Sequence, residues 1–202
     1  MLAKYGKELT FSRDDLEQTI SVRFEKVSQY LPGHTAITSS VQCWSYQELD
    51  SAANRIANAI LQRTGPGHSC MAYLVDHSSK MVCCALAILK RAKASLCIHP
   101  DMPAEAQRDI TFDAKPDLLV TTSSFEKRCC EILADQGRIL LLEDIGSFSD
   151  DKPQVIIQPR DPAIINYTSG LWAQQRHGRT PAPDPTLNNA LSSAFIPLTV
   201  VD

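Results

Sequence analysis

The sequence predicts an α/β fold, in which repeated βαβ units form a mostly parallel sheet. Between Cys70 and Glu143, short β-prone runs alternate regularly with helix-like segments, and this alternation is typical of parallel strands joined by right-handed helical crossovers. The length of 202 residues and the hydrophobic content of 44% allow one domain or slightly more, with a sizeable core.

The first predicted elements are a helix and a hairpin. Apolar residues at helical spacing predict an amphipathic helix over Asp14–Tyr30, capped by Ser12 and ended by Pro32. Two short β-prone segments follow, Thr35–Thr38 and Val41–Trp44, and their spacing favours a hairpin.

A second amphipathic helix has the clearest boundaries in the chain. Ser45 is followed three residues later by Glu48, which is the spacing of a capping box. An apolar stripe follows at helical spacing, and Gly65 supplies a C-terminal stop.

The alternating region then supplies four strands and three helices. Pro103 suits the first turn of its helix. The predicted strands are Met71–Val75, Ser95–Ile98, Leu118–Thr121 and Ile139–Leu142, and the predicted helices are Ser79–Lys90, Pro103–Asp113 and Ser124–Ala134.

A last buried strand, Ala163–Tyr167, is predicted after an acidic, turn-rich connection, and it runs directly into Thr168, Ser169 and Gly170. A strand that ends in hydroxyl residues and glycine is the layout of a phosphate-binding turn, because glycine lets the backbone approach the anion while amides and hydroxyls face it. The tripeptide alone is weak evidence.

Composition changes after Gly170, which divides the chain into a domain at 1–170 and a divergent segment at 171–202. The second part has no lysine or glutamate, has prolines at alternate positions and shows no sustained periodicity, so we expect it to be poorly ordered. Its apolar stretch Ala194–Val201 can form a strand, although Pro197 favours an edge position or a loose tail.

Charge and composition exclude several classes of partner. The net charge of −3 gives no reason to expect nucleic acid or an anionic membrane as a partner. The longest strongly apolar run, Val82–Leu89, is too short to span a bilayer. We therefore expect a soluble, cytoplasmic protein whose seven cysteines are mostly buried free thiols.

No catalytic or metal-binding residue is assigned from local patterns. The usual glycine-rich nucleotide fingerprints are absent, there is no Cys-x-x-Cys, and the five histidines do not fall at ligand spacing. His77, between Asp76 and Ser78, fits a solvated loop or helix cap better than a catalytic triad. The pairs Cys83-Cys84 and Cys129-Cys130 are interpreted as packing residues, since neighbours on a helix point in different directions.

Three segments, in order, resemble the core motifs of adenylate-forming enzymes, especially the amino-acid adenylation domains of nonribosomal peptide synthetases. The segment 43–50, continuing through Asn54-Arg55-Ile56-Ala57, is similar to the first motif. Leu89-Lys90 through His99-Pro100-Asp101-Met102-Pro103 is similar to the second. Asp161-Pro162-Ala163 to Tyr167-Thr168-Ser169-Gly170 is similar to the opening of the third, phosphate-binding motif.

The resemblance covers about residues 24–170 and implies an incomplete N-terminal subdomain of an adenylation domain. For the intact family it implies ATP and Mg²⁺ as cofactors, an amino or other carboxylic acid as substrate, and a carrier-protein thiol as acceptor. Within this chain it implies that Thr168, Ser169 and Gly170 are the remnant of the ATP phosphate loop.

The departures from the family pattern are as informative as the matches. In the second motif the family's glycine corresponds to Ala92 or Lys93, and its aspartate corresponds to His99. In the third, the family continues with serine, threonine and glycine, whereas this chain continues with Leu171 and Trp172. Adenylation requires several donors and cations around the triphosphate, so we expect this chain to be inactive alone and not to bind ATP and Mg²⁺ productively.

Three functional hypotheses follow. The first is an inactive fragment of an adenylate-forming ligase, with a reading-frame or splice change after Gly170. The second is a non-enzymatic interaction module that uses apolar surface left exposed by a half-domain. The third is a small α/β enzyme that uses His77 or Cys83. Unpaired sheet edges also predict marginal stability.

Overall fold

The computed structural model describes residues 18–39, 42–65, 69–133, 138–159 and 161–167, and the backbone of a short strand at 198–199. Its helices are α1 (Ile20–Tyr30), α2 (Tyr46–Thr64), α3 (Ser79–Leu89), α4 (Ala104–Ala114) and α5 (Glu126–Ile132). Its strands are β1 (Thr35–Thr38), β2 (Cys43–Ser45), β3 (Cys70–Leu74), β4 (Ala94–Cys97), β5 (Leu118–Thr121), β6 (Ile139–Leu141), β7 (Ile164–Ile165) and β8 (Leu198–Thr199).

A five-stranded sheet in the order β6-β5-β3-β4-β7 forms the centre of the fold, and every pairing in it is parallel. The central strand β3 pairs with both neighbours, so that Ala72 lies opposite Leu96 on one side and Leu119 on the other. The predicted α/β class and the parallel sheet are confirmed.

Helices cover both faces of this sheet. Successive strand residues point to opposite faces, so Met71 and Tyr73 join a core with α1, α2 and α3, whereas Ala72 and Leu74 join a second core with α4 and α5. Burial on both faces is the usual setting of parallel strands and explains why the strands are apolar runs without polar alternation.

The hairpin belongs to a separate three-stranded sheet. β1 and β2 pair antiparallel, as predicted, and β8 joins the free edge of β1 in parallel. β8 lies inside the apolar stretch Ala194–Val201, which the sequence allows to form a strand. The rest of 171–202 lies outside the described residues.

The first helix differs from its prediction. α1 begins at Ile20, and its cap is the Thr19 hydroxyl, which accepts a hydrogen bond from the Val22 N–H at 3.3 Å. Gln18 and Thr19 are not helical, so the predicted start at Asp14 is wrong by several residues. Because Thr19 satisfies an N–H of the first turn, the helix can begin there. Ser12 lies outside the described residues.

The second helix follows its sequence signals closely. The Ser45 hydroxyl accepts from the Glu48 N–H at 3.2 Å, and the Glu48 carboxylate accepts from the Ser45 N–H at 2.8 Å. Gly65 ends the helix with a φ of 67°, a conformation that glycine adopts without steric cost.

Three smaller corrections concern the alternating region and the strand after it. Pro103 is the residue before α4 rather than its first residue, and α5 is preceded by a 3₁₀ turn at Ser123–Phe125. The strand predicted at Ala163–Tyr167 is reduced to Ile164–Ile165 and is half-buried, because β7 lies at the edge of the sheet and pairs with β4 only.

Lys90, just after α3, ties three helices together. Its side chain is 1% exposed, and its ammonium lies 2.7 Å from Glu25 on α1 and 2.9 Å from Asp50 on α2. Lys152 contacts the other oxygen of Glu25 at 2.6 Å. Burial raises the pKa of Glu25, but the hydrogen bonds and charges of Lys152 and Lys90 outweigh this effect and leave the pKa below its usual value.

Within the described part of the chain, the helices are too short or too polar to cross a lipid bilayer.

Candidate functional site at the carboxyl edge of the sheet

The parallel strands place their carboxyl ends at one edge of the sheet, where ligands of open α/β sheets usually bind. Polar residues follow all five strands there, and the one after β6 is Glu143. The segments are 76–78 after β3, 99–101 after β4, 122–123 after β5, and 166–167 after β7.

The segment after β3 forms a helix cap, as predicted. Ser78 is the N-cap of α3, and its hydroxyl accepts from the Lys80 N–H at 3.3 Å and donates to Asp76 at 2.7 Å. Lys80 also lies 3.6 Å from the Asp76 carboxylate. His77 contacts neither Asp76 nor Ser78 in a relay, so these three residues are not arranged as a catalytic triad.

Glu143, after β6, is engaged with the end of β5. Its carboxylate accepts from the Ser123 N–H at 3.2 Å and from the Ser123 hydroxyl at 3.1 Å. Burial acts to raise the pKa of Glu143, but backbone and side-chain hydrogen bonds and the charge of Lys80 hold it below the usual value.

Two histidines and an aspartate meet between the ends of β3 and β4. His77 Nε2 lies 3.3 Å from Asp101 Oδ2, and His99 Nδ1 lies 3.8 Å from the same oxygen. The two imidazole rings are 4.3 Å apart between centroids and tilted by 57°. Sequence spacing missed this group, because His77 and Asp101 are 24 residues apart and meet through strand pairing.

Hydrogen bonds from α4 and α5 hold the loop that carries His99 and Asp101. The fully buried Gln107 donates to the His99 carbonyl at 2.8 Å and accepts from Arg128 Nε at 2.7 Å. Arg128 also donates to the Met102 carbonyl at 2.6 Å. Helices α4 and α5 therefore hold both ends of this loop in place.

Tyr167 marks the carboxyl side of β7. Its hydroxyl donates to Asp113 on α4 at 2.6 Å, and burial, followed by this carboxylate, raises the pKa of the phenol. Thr168, Ser169 and Gly170, the predicted phosphate-loop residues, lie outside the described residues.

The described residues do not fit a magnesium ion. Mg²⁺ prefers oxygen ligands in octahedral geometry, and within the described ranges neither Asp76 nor Glu143 belongs to a group of three or more convergent ligands. In the described ranges, three or more potential ligands converge at His77, His99 and Asp101, a set with two imidazoles.

Three of the four cysteines in the two pairs, Cys83, Cys84 and Cys129, are buried and pack in the core, whereas Cys130 is only partly buried. All seven cysteines are free thiols, but the other four are not buried, so the expectation of mostly buried thiols is wrong. Burial raises the pKa of Cys83 to about 12 and that of Cys129 to about 11. Because the thiolate is the nucleophilic form, Cys83 is not set up for catalysis.

Comparison with known proteins identifies similar sequences over most of the chain. The sequence model of the family described as AMP-binding enzyme matches residues 24–170. Tyrocidine synthase 2 of Brevibacillus parabrevis is 34% identical over 163 residues, which is 79% of this chain and 4% of that protein. Surfactin synthase subunit 3 of Bacillus subtilis (strain 168) is 34% identical over 156 residues, or 76% and 12%. The chain thus spans a small part of these relatives.

Solved structures share the fold. FmoA3, a nonribosomal peptide synthetase, superposes with a TM-score of 0.68 at 22% identity, covering 76% of this chain and 16% of its own. The N-terminal domain of FACL13 from Mycobacterium tuberculosis also gives a TM-score of 0.68, at 20% identity and with coverages of 76% and 42%. At these identities the likeness concerns the fold alone.

Proposed function

Since this chain belongs to the AMP-binding enzyme family, we propose that residues 24–170 form the N-terminal part of a unit that activates a carboxylic acid with ATP. The acid is an amino acid or another carboxylic acid, the product is an acyl-adenylate, and the acceptor of the acyl group is a carrier-protein thiol. The similarity to tyrocidine and surfactin synthases supports this substrate class.

One observation carries the proposal. The family match runs through the whole parallel sheet and ends at residue 170, directly after β7 and the Thr168-Ser169-Gly170 tripeptide. In this proposal the amides and hydroxyls of these three residues bind the nucleotide phosphates, as the phosphate loop of the family does.

The same observation supports the proposal that these 202 residues do not catalyse adenylation by themselves. Residues 171–202 lie beyond the family match, and Leu171 and Trp172 stand where the family pattern continues with hydroxyl residues and glycine. Large apolar side chains supply fewer hydrogen-bond donors than hydroxyl residues to the charge that develops on a transferring phosphoryl group.

A chimera tests the proposal. Residues from Leu171 onward would be replaced by the corresponding continuation of surfactin synthase subunit 3, and acid-dependent exchange of labelled pyrophosphate into ATP would be measured across a panel of amino acids. We expect no exchange by the chain as it stands and exchange by the chimera. Thr168→Ala with Ser169→Ala in the chimera should abolish it. Exchange by the unaltered chain, or a folded but inert chimera, contradicts the proposal.

A second candidate function is protein binding. Phe112 on α4 and Ile156 are 80% and 87% exposed. Single exposed apolar side chains are normal on a protein surface, so this alternative requires that a partner covers them as part of a contiguous apolar patch. Light scattering of the purified chain, alone and mixed with a carrier protein, tests this alternative, and a monomer that binds nothing contradicts it.

A further inference from the structure

We propose that His77, His99 and Asp101 form a binding site for a divalent transition-metal ion of the Zn²⁺ type. This inference goes beyond the proposed function, because it concerns a different ion and does not depend on ATP. It also concerns a departure from the family pattern, in which an aspartate stands at the position of His99.

The distances suit a metal of this size. Zn²⁺ binds imidazole nitrogen and carboxylate oxygen at about 2.0–2.2 Å in tetrahedral geometry, which places neighbouring ligand atoms about 3.3–3.5 Å apart. The two His–Asp separations are 3.3 and 3.8 Å, and one ligand atom from each of the three residues lies within 4.8 Å of the others. Small side-chain rotations would bring all three onto one ion.

The ligand types select the class of metal. Two imidazoles and one carboxylate suit Zn²⁺, Co²⁺, Ni²⁺ or Cu²⁺, whereas Mg²⁺ and Ca²⁺ favour oxygen ligands. An ordinary surface ion pair accounts for one histidine beside Asp101. It does not require a second imidazole whose Nδ1 lies 3.8 Å from the same oxygen and whose ring centroid lies 4.3 Å from that of the first. A shared cation explains why all three converge.

Neighbouring residues fix the backbone of the segments that carry His77 and His99. His77 and His99 follow paired parallel strands, and the Ile98 N–H donates to the Tyr73 carbonyl at 2.9 Å, so the strand pairing extends to the base of the site. Gln107 holds the His99 carbonyl. Fixing ligands through their neighbours in this way reduces the ordering that metal binding requires.

The site also has an open face. The side chains of His77, His99 and Asp101 are 51%, 44% and 78% exposed. Three protein ligands with access to solvent leave a fourth position for water or an anionic ligand, unlike structural zinc sites, in which four protein ligands enclose the ion. We therefore expect reversible binding at neutral pH without loss of the fold when the metal is removed.

Titration of the purified full chain with Zn²⁺, by calorimetry and by competition with a chromophoric chelator, tests the proposal. We expect one equivalent of tight binding. His77→Ala and Asp101→Asn should each weaken it more than tenfold, since even the loss of an outer-shell partner typically costs about 10–100-fold. His34→Ala is the matched control and should leave the affinity unchanged. All variants would be checked for an unaltered circular-dichroism spectrum.

Zn²⁺ could also bind to cysteine thiolates, and the absorption spectrum of bound Co²⁺ distinguishes such a site from the proposed one. A site of two imidazoles and a carboxylate gives Co²⁺ d–d absorption without a thiolate charge-transfer band, and the histidine ring resonances shift on binding. A thiolate band, an affinity that is the same in a His77→Ala/His99→Ala double variant, or no binding up to about 0.1 mM Zn²⁺ would overturn the proposal. Because Asp101→Asn changes an exposed side chain, its result does not depend on a folding defect.

Discussion

Replacing the buried Lys90 with methionine should destabilise the protein strongly. The Lys90 side chain is 1% exposed, and its ammonium contacts carboxylates on two other helices, at 2.7 Å from Glu25 and 2.9 Å from Asp50. Methionine keeps most of the side-chain volume but removes the charge, so two partly buried carboxylates lose their shared counterion.

The expected magnitude follows from this geometry. Removing one partner of a buried ion pair typically costs about 3–5 kcal/mol, because the remaining charge is left without compensation. Lys152 still contacts Glu25 at 2.6 Å and compensates part of its charge. We therefore expect Lys90→Met to lower the free energy of unfolding by about 3 kcal/mol, the lower end of this range. With a urea m-value of roughly 2 kcal/mol/M, the midpoint of unfolding should fall by about 1.5 M.

The assay is urea unfolding followed by circular dichroism at pH 7, with Lys80→Met as the control. Lys80 is 46% exposed and lies 3.6 Å from Asp76, so its loss should cost no more than about 0.5 kcal/mol. Adding Asp50→Asn to Lys90→Met should recover part of the loss, because one orphaned charge is then removed.

The pH dependence gives a second check. The folded-state pKa of Glu25 is lowered, so its ion pairs stabilise the fold fully above the unfolded-state pKa, near 4.5, and this contribution is lost as the pH falls through the folded-state value. The difference between wild type and Lys90→Met should therefore shrink in acid. A Lys90→Met variant whose midpoint at pH 7 matches that of Lys80→Met would refute the reasoning.

Three further changes have expected outcomes in the same unfolding assay. Ala92→Gly should stabilise the protein by about 0.5–1 kcal/mol. The φ of 54° at Ala92 costs an L-residue about 1–2 kcal/mol, and the greater freedom of glycine in the unfolded state offsets part of this gain. A loss of stability would contradict this expectation. Tyr167→Phe should cost about 1 kcal/mol by removing the 2.6 Å hydrogen bond to Asp113, and an unchanged midpoint argues against that bond. Ser45→Ala should cost about 1 kcal/mol through the lost cap of α2, whereas Ser45→Thr should be nearly neutral.

The sequence predicts the bounds of an element well where interactions between neighbouring residues determine them. The capping box at Ser45 and the stop at Gly65 set the bounds of α2 because their hydrogen bonds and backbone angles involve neighbouring residues. The start of α1 is predicted wrongly because the apolar periodicity in the sequence begins before the helix does, and the Thr19 hydroxyl caps the helix at Ile20.

The structure also resolves an ambiguity in the second motif. The sequence left the position of the family's glycine at Ala92 or Lys93. In the described residues, positive φ occurs at Ala92 but not at Lys93. Ala92 therefore occupies the turn that a glycine would occupy without strain.

The sequence by itself determined the fold class, the family and the place where the family pattern stops, because strand-helix alternation and ordered motifs are written along the chain. Only the tertiary structure decided which side chains meet. The Lys90 ion cluster joins residues 65 positions apart, and the group at His77, His99 and Asp101 depends on β3 and β4 being paired neighbours. Strand order and register set these distances, and neither is encoded in the spacing of the residues themselves.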